Sequence, residues 1–139
     1  MHSRGVISVL LPTLVLASLA ACVDDPTGPE GGVAGNWSVS YTDDATGCGE
    51  GITSGTVTFV VVQTGDVLAV TSDGIVFTGT LNGTQSSWSG SYPEDGGTTT
   101  EEFTVTFTNS NTMFNGGSTW TWTAGLGGCS GSSTITGSK

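Results

Sequence analysis

The segment Phe103-Thr104-Val105-Thr106-Phe107-Thr108 alternates apolar and polar side chains without a break. Successive side chains of an extended strand point to opposite faces of a sheet, whereas the side chains of a helix repeat every 3.6 residues. This hexapeptide therefore predicts a β-strand with one apolar face and one threonine face. From residue 35 onward no segment has a helical period, and the abundance of threonine favours strands.

The same two-residue period recurs on both sides of this hexapeptide. Turn signals such as Asp73-Gly74 and Asn82-Gly83 separate the alternating runs, and these residue types tolerate the positive φ of tight hairpins. Short connections favour antiparallel neighbours, and eight strands in a meander close into an up-and-down barrel without exposed edges. We therefore expect an all-β fold, an eight-stranded antiparallel barrel with no flanking helix. Its predicted strands span residues 35–43, 52–63, 67–72, 75–81, 84–92, 99–109, 112–123 and 129–136.

The beginning of the chain has the organisation of an export signal. Arg4 precedes an apolar run over residues 6–19, which is too short to span a bilayer comfortably as a helix. The run ends in Leu19-Ala20-Ala21-Cys22, which resembles the lipobox of bacterial lipoproteins. The resemblance implies a signal peptide over residues 1–21 and acyl chains, such as palmitate, on Cys22 that anchor the protein to a membrane. The alternative is an ordinary secretory signal in which this cysteine follows the cleavage site by chance.

Residues 22–34 predict a lipidated cysteine followed by a flexible tether, since they are rich in Pro, Gly and acidic residues and have no apolar period. The barrel domain then occupies residues 35–139. Val23 stands where lipoproteins retained at the inner membrane often have Asp, so the resemblance implies the outer rather than the inner membrane. The expected location is the bacterial cell envelope, outside the cytoplasm.

The two remaining cysteines support closure of the barrel. Cys48 follows the first predicted strand and Cys129 opens the last one. These strands are neighbours only if the sheet closes, and an even pair of cysteines in an oxidising compartment indicates a structural disulfide. A redox-active dithiol would favour closer spacing and a basic neighbour. We therefore predict a structural Cys48–Cys129 bridge.

The charge balance restricts the function. All twelve Asp and Glu residues follow Cys22, with Lys139 as the only basic side chain there, because His2 and Arg4 precede it. Nucleic-acid binding depends on Lys and Arg, nucleophilic sites with an imidazole need His, and most zinc sites use His or clustered Cys. We expect no nucleic-acid partner, no enzymatic activity, no cofactor and no metal site. Adjacent acidic pairs are interpreted as solvated surface charges: Asp43-Asp44, Glu94-Asp95 and Glu101-Glu102.

Gly35-Asn36-Trp37, at the start of the first strand, resembles the Gly-x-Trp motif that opens lipocalins and other calycin barrels. The resemblance implies a lipocalin-like barrel that binds a ligand. Lipocalins usually place a basic residue near the last strand against this tryptophan and carry a C-terminal helix. After Cys22 the sequence has no arginine, and it predicts no such helix.

Two hypotheses about function follow. The interior of a small eight-stranded barrel either fills with side chains or holds one small ligand. Trp and Tyr combine apolar area with a polar tip that can orient a ligand, so the first hypothesis is a binding site for a small apolar or aromatic molecule. The alternative is that the rings form the core. The candidate ligand-binding residues are Trp37, Tyr41, Trp88, Tyr92 and Trp120.

The second hypothesis is an interaction surface on the outside of the sheet. Five apolar residues on three consecutive strands are predicted to face outward, and contiguous apolar patches commonly mark interfaces. Such a patch would serve self-association or binding to an envelope partner, unless the sheet buries both faces there. The candidate interface residues are Val60, Val62, Leu68, Val70 and Val76.

Overall fold

A computed structural model describes residues 31–139; the predicted signal peptide and Cys22 lie outside the described residues. No helix within this part of the chain has the length and apolar character needed to cross a membrane. Eight strands and one three-residue 3-10 helix, Thr46–Cys48, make up the fold. The strands are β1 (Gly35–Asp44), β2 (Ile52–Thr64), β3 (Val67–Ser72), β4 (Ile75–Asn82), β5 (Gln85–Glu94), β6 (Gly97–Thr108), β7 (Met113–Ala124) and β8 (Gly127–Ser138).

Each strand pairs antiparallel with the next, and β8 pairs with β1 to close the barrel. In the closing seam Tyr41 stands opposite Ile135. The prediction of an all-β, eight-stranded, antiparallel up-and-down barrel is therefore confirmed. β6 and β8 begin two residues earlier than predicted because their hairpins use only two turn residues. In the β5–β6 turn, Asp95 and Gly96 adopt φ values of 46° and 76°.

The two ends of the barrel differ. The closed end contains the start of β1 and the turns β2–β3, β4–β5 and β6–β7, and packed aromatic rings fill it. Trp37 lies 5.1 Å from Phe114 and 5.4 Å from Phe107 between ring centroids. The open end contains the β1–β2 loop and the turns β3–β4, β5–β6 and β7–β8.

The residues before β1 cover the closed end. Val33 is fully buried, although it belongs to the predicted tether. Its N–H donates to Oε1 of Gln63 at 2.8 Å, and Nε1–H of Trp37 donates to its carbonyl at 2.9 Å. These bonds attach the end of the predicted tether to the barrel.

A basic residue lies against the tryptophan of the Gly-x-Trp motif. Nζ of Lys139, directly after β8, is 5.1 Å from the ring centroid of Trp37 and donates to the carbonyls of Gly32 and Ala34 at 2.9 Å each. A cation over an indole face is attracted by the ring quadrupole. Lys139 therefore links the end of the chain to the residues before β1 and to Trp37 at the closed end.

The predicted disulfide is present. Sγ of Cys48 and Sγ of Cys129 are 2.02 Å apart, and the two Cα atoms are 5.1 Å apart. The bridge joins the 3-10 helix in the β1–β2 loop to β8 at the open end. It thus links the first and last strands next to the seam that closes the barrel.

The predicted outward orientation of Leu68 and Val70 is wrong, since both side chains are fully buried in the core. The two-residue turn after β2 sets the register, which places Leu68 opposite Gln63 and Val70 opposite Val61. Directly opposite residues of antiparallel strands share a face of the sheet. Both side chains therefore point inward with Val61.

The outer face of β2, β3 and β4 nevertheless carries an apolar patch. Val60, Val62 and Val76 are exposed, as predicted, and Val67 joins them. Their exposed fractions lie between 42% for Val60 and 59% for Val62. We call these four residues the valine patch.

Candidate functional site

The open half of the barrel encloses a cavity of about 750 Å³. This volume lies within the range of about 300–1,000 Å³ that is typical of small-molecule sites. The apolar core residues that also line it form its floor, towards the closed end. They are Val39, Phe59, Phe77, Phe103 and Ile135.

Four aromatic side chains stand in the upper wall of the cavity. Tyr41, Tyr92 and Trp120, all candidates from the sequence, line it together with Trp122. Trp122 shares its orientation with Trp120 two residues earlier, and its Nε1–H donates to the carbonyl of Glu94 at 2.9 Å. Tyr41, Tyr92 and Trp120 thus line the cavity, as expected for ligand-binding residues. Their role in binding a ligand stays a prediction.

Trp37 and Trp88 do not line the cavity, so their assignment as cavity residues is corrected. Both are almost completely buried in the packed end of the barrel. Trp88 stacks on Phe103 with 5.7 Å between ring centroids, and its Nε1–H has no hydrogen-bond partner among the described residues. Trp37 stands opposite Phe59 and Trp88 opposite Phe103, so both tryptophans lie beside the cavity floor in the sheet without lining the cavity.

The carboxylate of Asp43 belongs to the cavity wall rather than to the solvated surface. Its Oδ1 accepts a hydrogen bond from Nε1–H of Trp120 at 2.8 Å and another from the hydroxyl of Ser133 at 2.6 Å. Both donors are neutral, so they orient the carboxylate without compensating its charge.

Glu101 is the second carboxylate in the wall. Its Oε1 accepts from the hydroxyl of Ser118 at 2.6 Å, and its Oε2 accepts from the hydroxyl of Tyr92 at 3.3 Å. Burial raises the pKa of Glu101 above its ordinary value, the two hydrogen bonds oppose this shift, and the charges of Asp43 and Glu94 add to it. Burial, followed by the neighbouring carboxylates, also raises the pKa of Tyr92.

Glu94 lies at the mouth of the cavity, where its Oε2 accepts from the hydroxyl of the buried Thr99 at 2.6 Å. Glu94 and Asp95 are both exposed, so the interpretation as surface charges holds for this pair and is wrong for Asp43 and Glu101. In the adjacent pairs Asp43-Asp44 and Glu101-Glu102, the first residue faces the barrel interior and the second faces solvent, because side chains alternate along a strand. Glu102 is exposed. Asp44 accepts hydrogen bonds from the backbone and hydroxyl of Thr46, which lower its pKa.

The alternation of side chains along β1 and β6 indicates that Asp43 and Glu101 face the barrel interior. Asp43 continues the inward series Trp37, Val39 and Tyr41, and Glu101 precedes Phe103 by two residues on β6. The aromatic members of these series were predicted to face the interior, and the same alternation places the acidic members there as well.

The described residues hold no cationic side chain near these carboxylates. Lys139 is the one basic residue between positions 31 and 139, and it lies at the closed end. In that same part of the chain, no three His, Cys, Asp or Glu side chains converge closely enough to hold a metal ion. Six carboxylates thus line one cavity without a protein counter-charge, namely those of Asp43, Glu50, Asp73, Glu94, Asp95 and Glu101.

Comparison with protein-family models gives no match for this chain, and no curated protein matches it either. Its class is accordingly that of its architecture, the closed eight-stranded antiparallel up-and-down barrels. This architecture is compatible with a lipocalin-like barrel. Because one fold hosts many functions, function has to be argued from the cavity itself.

Proposed function

We propose that this protein is a lipid-anchored, non-catalytic envelope protein whose barrel binds a small hydrophobic ligand. The observation that supports the proposal is the cavity of about 750 Å³, with an apolar floor and aromatic walls. Each Å² of apolar ligand surface removed from water contributes about 25 cal/mol. Tyr41, Tyr92 and Trp120 add polar tips that can orient the bound molecule.

Ligand binding is tested by titrating tryptophan fluorescence with a panel of small hydrophobic molecules. The titration uses the Cys22→Ser chain, which lacks the predicted acylation site. A saturable change is expected, because Trp120 and Trp122 line the cavity. No saturable change with any member of the panel would contradict the proposal.

A matched pair of substitutions then locates the site. Ile75 lines the cavity, and Val76 beside it faces solvent. Ile75→Trp should fill part of the cavity and weaken binding about tenfold or more, as measured by calorimetry, whereas Val76→Trp should leave binding unchanged. Equal affinities in the two variants would place the ligand elsewhere.

The anchoring part of the proposal is supported by the sequence Leu19-Ala20-Ala21-Cys22. Metabolic labelling with a palmitate analogue should mark the wild-type protein in the membrane fraction. Cys22→Ser should lose the label. A label that persists in the variant would refute acylation at this cysteine.

The valine patch favours a second candidate function, self-association of two copies through the outer face of β2, β3 and β4. Sedimentation should then show a dimer that Val62→Asp converts to a monomer. Thr104→Asp, on the outer face of β6, serves as the control and should leave the dimer intact. A monomer in all three proteins would eliminate this function.

A further inference from the structure

We propose that the ligand of this cavity is a small organic cation, a protonated amine joined to an apolar or aromatic body, with its ammonium group bound by Asp43 and Glu101. The inference rests on the proposed function, since it names the class of ligand that the same cavity takes. Three features of the cavity carry it, namely its charge, its rigidity and the order of its layers.

The first feature is the uncompensated charge. Asp43, Glu94 and Glu101 come from three different strands and line one cavity, while Lys139 is bound at the other end of the barrel. Glu94 is exposed at the mouth, whereas Glu101 is partly withdrawn from water, which is unfavourable for a carboxylate without a cationic partner. The raised pKa of Glu101 reflects that situation, since burial is its largest cause and the neighbouring carboxylates add to it. A ligand ammonium would supply the missing partner.

The second feature is that neutral donors hold the two deeper carboxylates in place. Asp43 accepts from Trp120 and Ser133, and both bonds reach the same oxygen, Oδ1. Oδ2 is thereby left to accept from a ligand. Glu101 is held by one bond on each oxygen, since Ser118 donates to Oε1 and Tyr92 donates to Oε2. Groups already held in their binding orientation lose less conformational entropy when a ligand arrives.

The third feature is the order of the layers along the barrel axis. On β1 the side chains that line the cavity are Val39, then Tyr41, then Asp43, from the floor towards the open end. A ligand therefore meets apolar surface at depth, aromatic rings above it and carboxylates nearest the opening. Aromatic faces also attract organic cations. This order fits a molecule with one apolar end and one ammonium end.

A single metal ion fits these observations less well. The described carboxylates do not converge in a group of three that could hold one. The carboxylates of Asp43 and Glu101 also already accept hydrogen bonds from neutral protein donors. Calcium binding is nevertheless included as an outcome of the test.

The test uses three probes with the same body and different end groups: 4-phenylbutylamine, 4-phenylbutan-1-ol and 4-phenylbutyrate. Calorimetry with the Cys22→Ser chain at pH 7 and low salt should show that the amine binds about tenfold tighter than the alcohol, because a charge-assisted hydrogen bond is roughly twice as strong as a neutral one. The carboxylate probe should bind more weakly than the alcohol. Added salt should reduce the advantage of the amine.

Isosteric variants then assign the effect to the two carboxylates. Asp43→Asn and Glu101→Gln should each weaken amine binding about tenfold and leave alcohol binding unchanged, since they remove charge and keep shape. Glu102→Gln, on the outer face of the same strand as Glu101, is the matched control and should change neither affinity.

The outcomes separate this inference from the proposed function. Equal binding of the amine and the alcohol to the unsubstituted cavity would overturn the cation inference and leave hydrophobic-ligand binding standing. Binding of calcium chloride that both carboxylate variants abolish would replace the organic cation with a metal ion. Failure of all three probes and of the fluorescence panel would overturn the proposed function itself.

Discussion

The carboxyl group of Glu101 lies in the wall of the barrel with a serine hydroxyl and a tyrosine hydroxyl as its donors. Its raised pKa means that the folded protein holds this proton to higher pH than the unfolded chain does. Stability contributed by this group is therefore fully present below the ordinary glutamate pKa. This stability is lost as pH rises towards the raised pKa of Glu101. At neutral pH the partly buried, ionised carboxylate therefore destabilises the fold.

Glu101→Gln should consequently raise the melting temperature of the ligand-free protein at pH 7. The gain should shrink as pH falls below the ordinary glutamate pKa, because the wild-type group is then protonated too. Thermal unfolding between pH 3.5 and 7, followed by circular dichroism, measures this difference. The groups that face the carboxyl are Asp43, Glu94, Tyr92 and Ser118, and all of them remain in the variant.

Glu102→Gln provides the control for that experiment, because its side chain is exposed on the same strand. It should show no comparable pH-dependent gain. A Glu101→Gln variant that is destabilised equally at every pH would contradict burial as the cause of the shift.

Among the elements, the disulfide joins the β1–β2 loop to β8 at the open end. Cys48 and Cys129 are 81 residues apart in sequence. On the chain-entropy model, a bridge that closes a loop of this length stabilises the fold by about 4 kcal/mol. The double variant Cys48→Ser, Cys129→Ser should lose roughly that amount in urea unfolding. A reducing agent should destabilise the wild type and have no effect on the double variant; a loss below about 1 kcal/mol would contradict this role.

The strands were predictable because alternation and turn chemistry are local. Phe103 to Thr108 shows its two faces in six residues, and Asp73-Gly74 marks a hairpin by itself. Closure was predictable from the positions of Cys48 and Cys129. The inward orientation of Leu68 was not predictable. It depends on the register across the β2–β3 turn, and a register shift of one residue moves every side chain to the other face.

For the whole molecule, the sequence left open whether the barrel is filled or hollow. Alternation identifies inward residues, but the space between them depends on strand tilt and stagger. Those properties also determine the depth of each ring, so Trp37 and Trp88 could not be separated from Trp120 beforehand. The small inward residues Ser118 and Ser133 leave room in the open half, and their positions acquire meaning only with the register known.

We expect a ligand to occupy the open half of the barrel and to leave the closed half untouched. The four tryptophans divide between these halves, since Trp120 and Trp122 line the cavity whereas Trp37 and Trp88 are packed in the core. Their indole N–H signals can be followed by ¹⁵N-edited NMR while 4-phenylbutylamine is added to the Cys22→Ser chain, with single Trp→Phe variants for assignment. We expect saturable shifts for Trp120 and Trp122 and nearly constant signals for Trp37 and Trp88. Four unmoved signals, or movement of the Trp37 and Trp88 signals alone, would contradict this expectation.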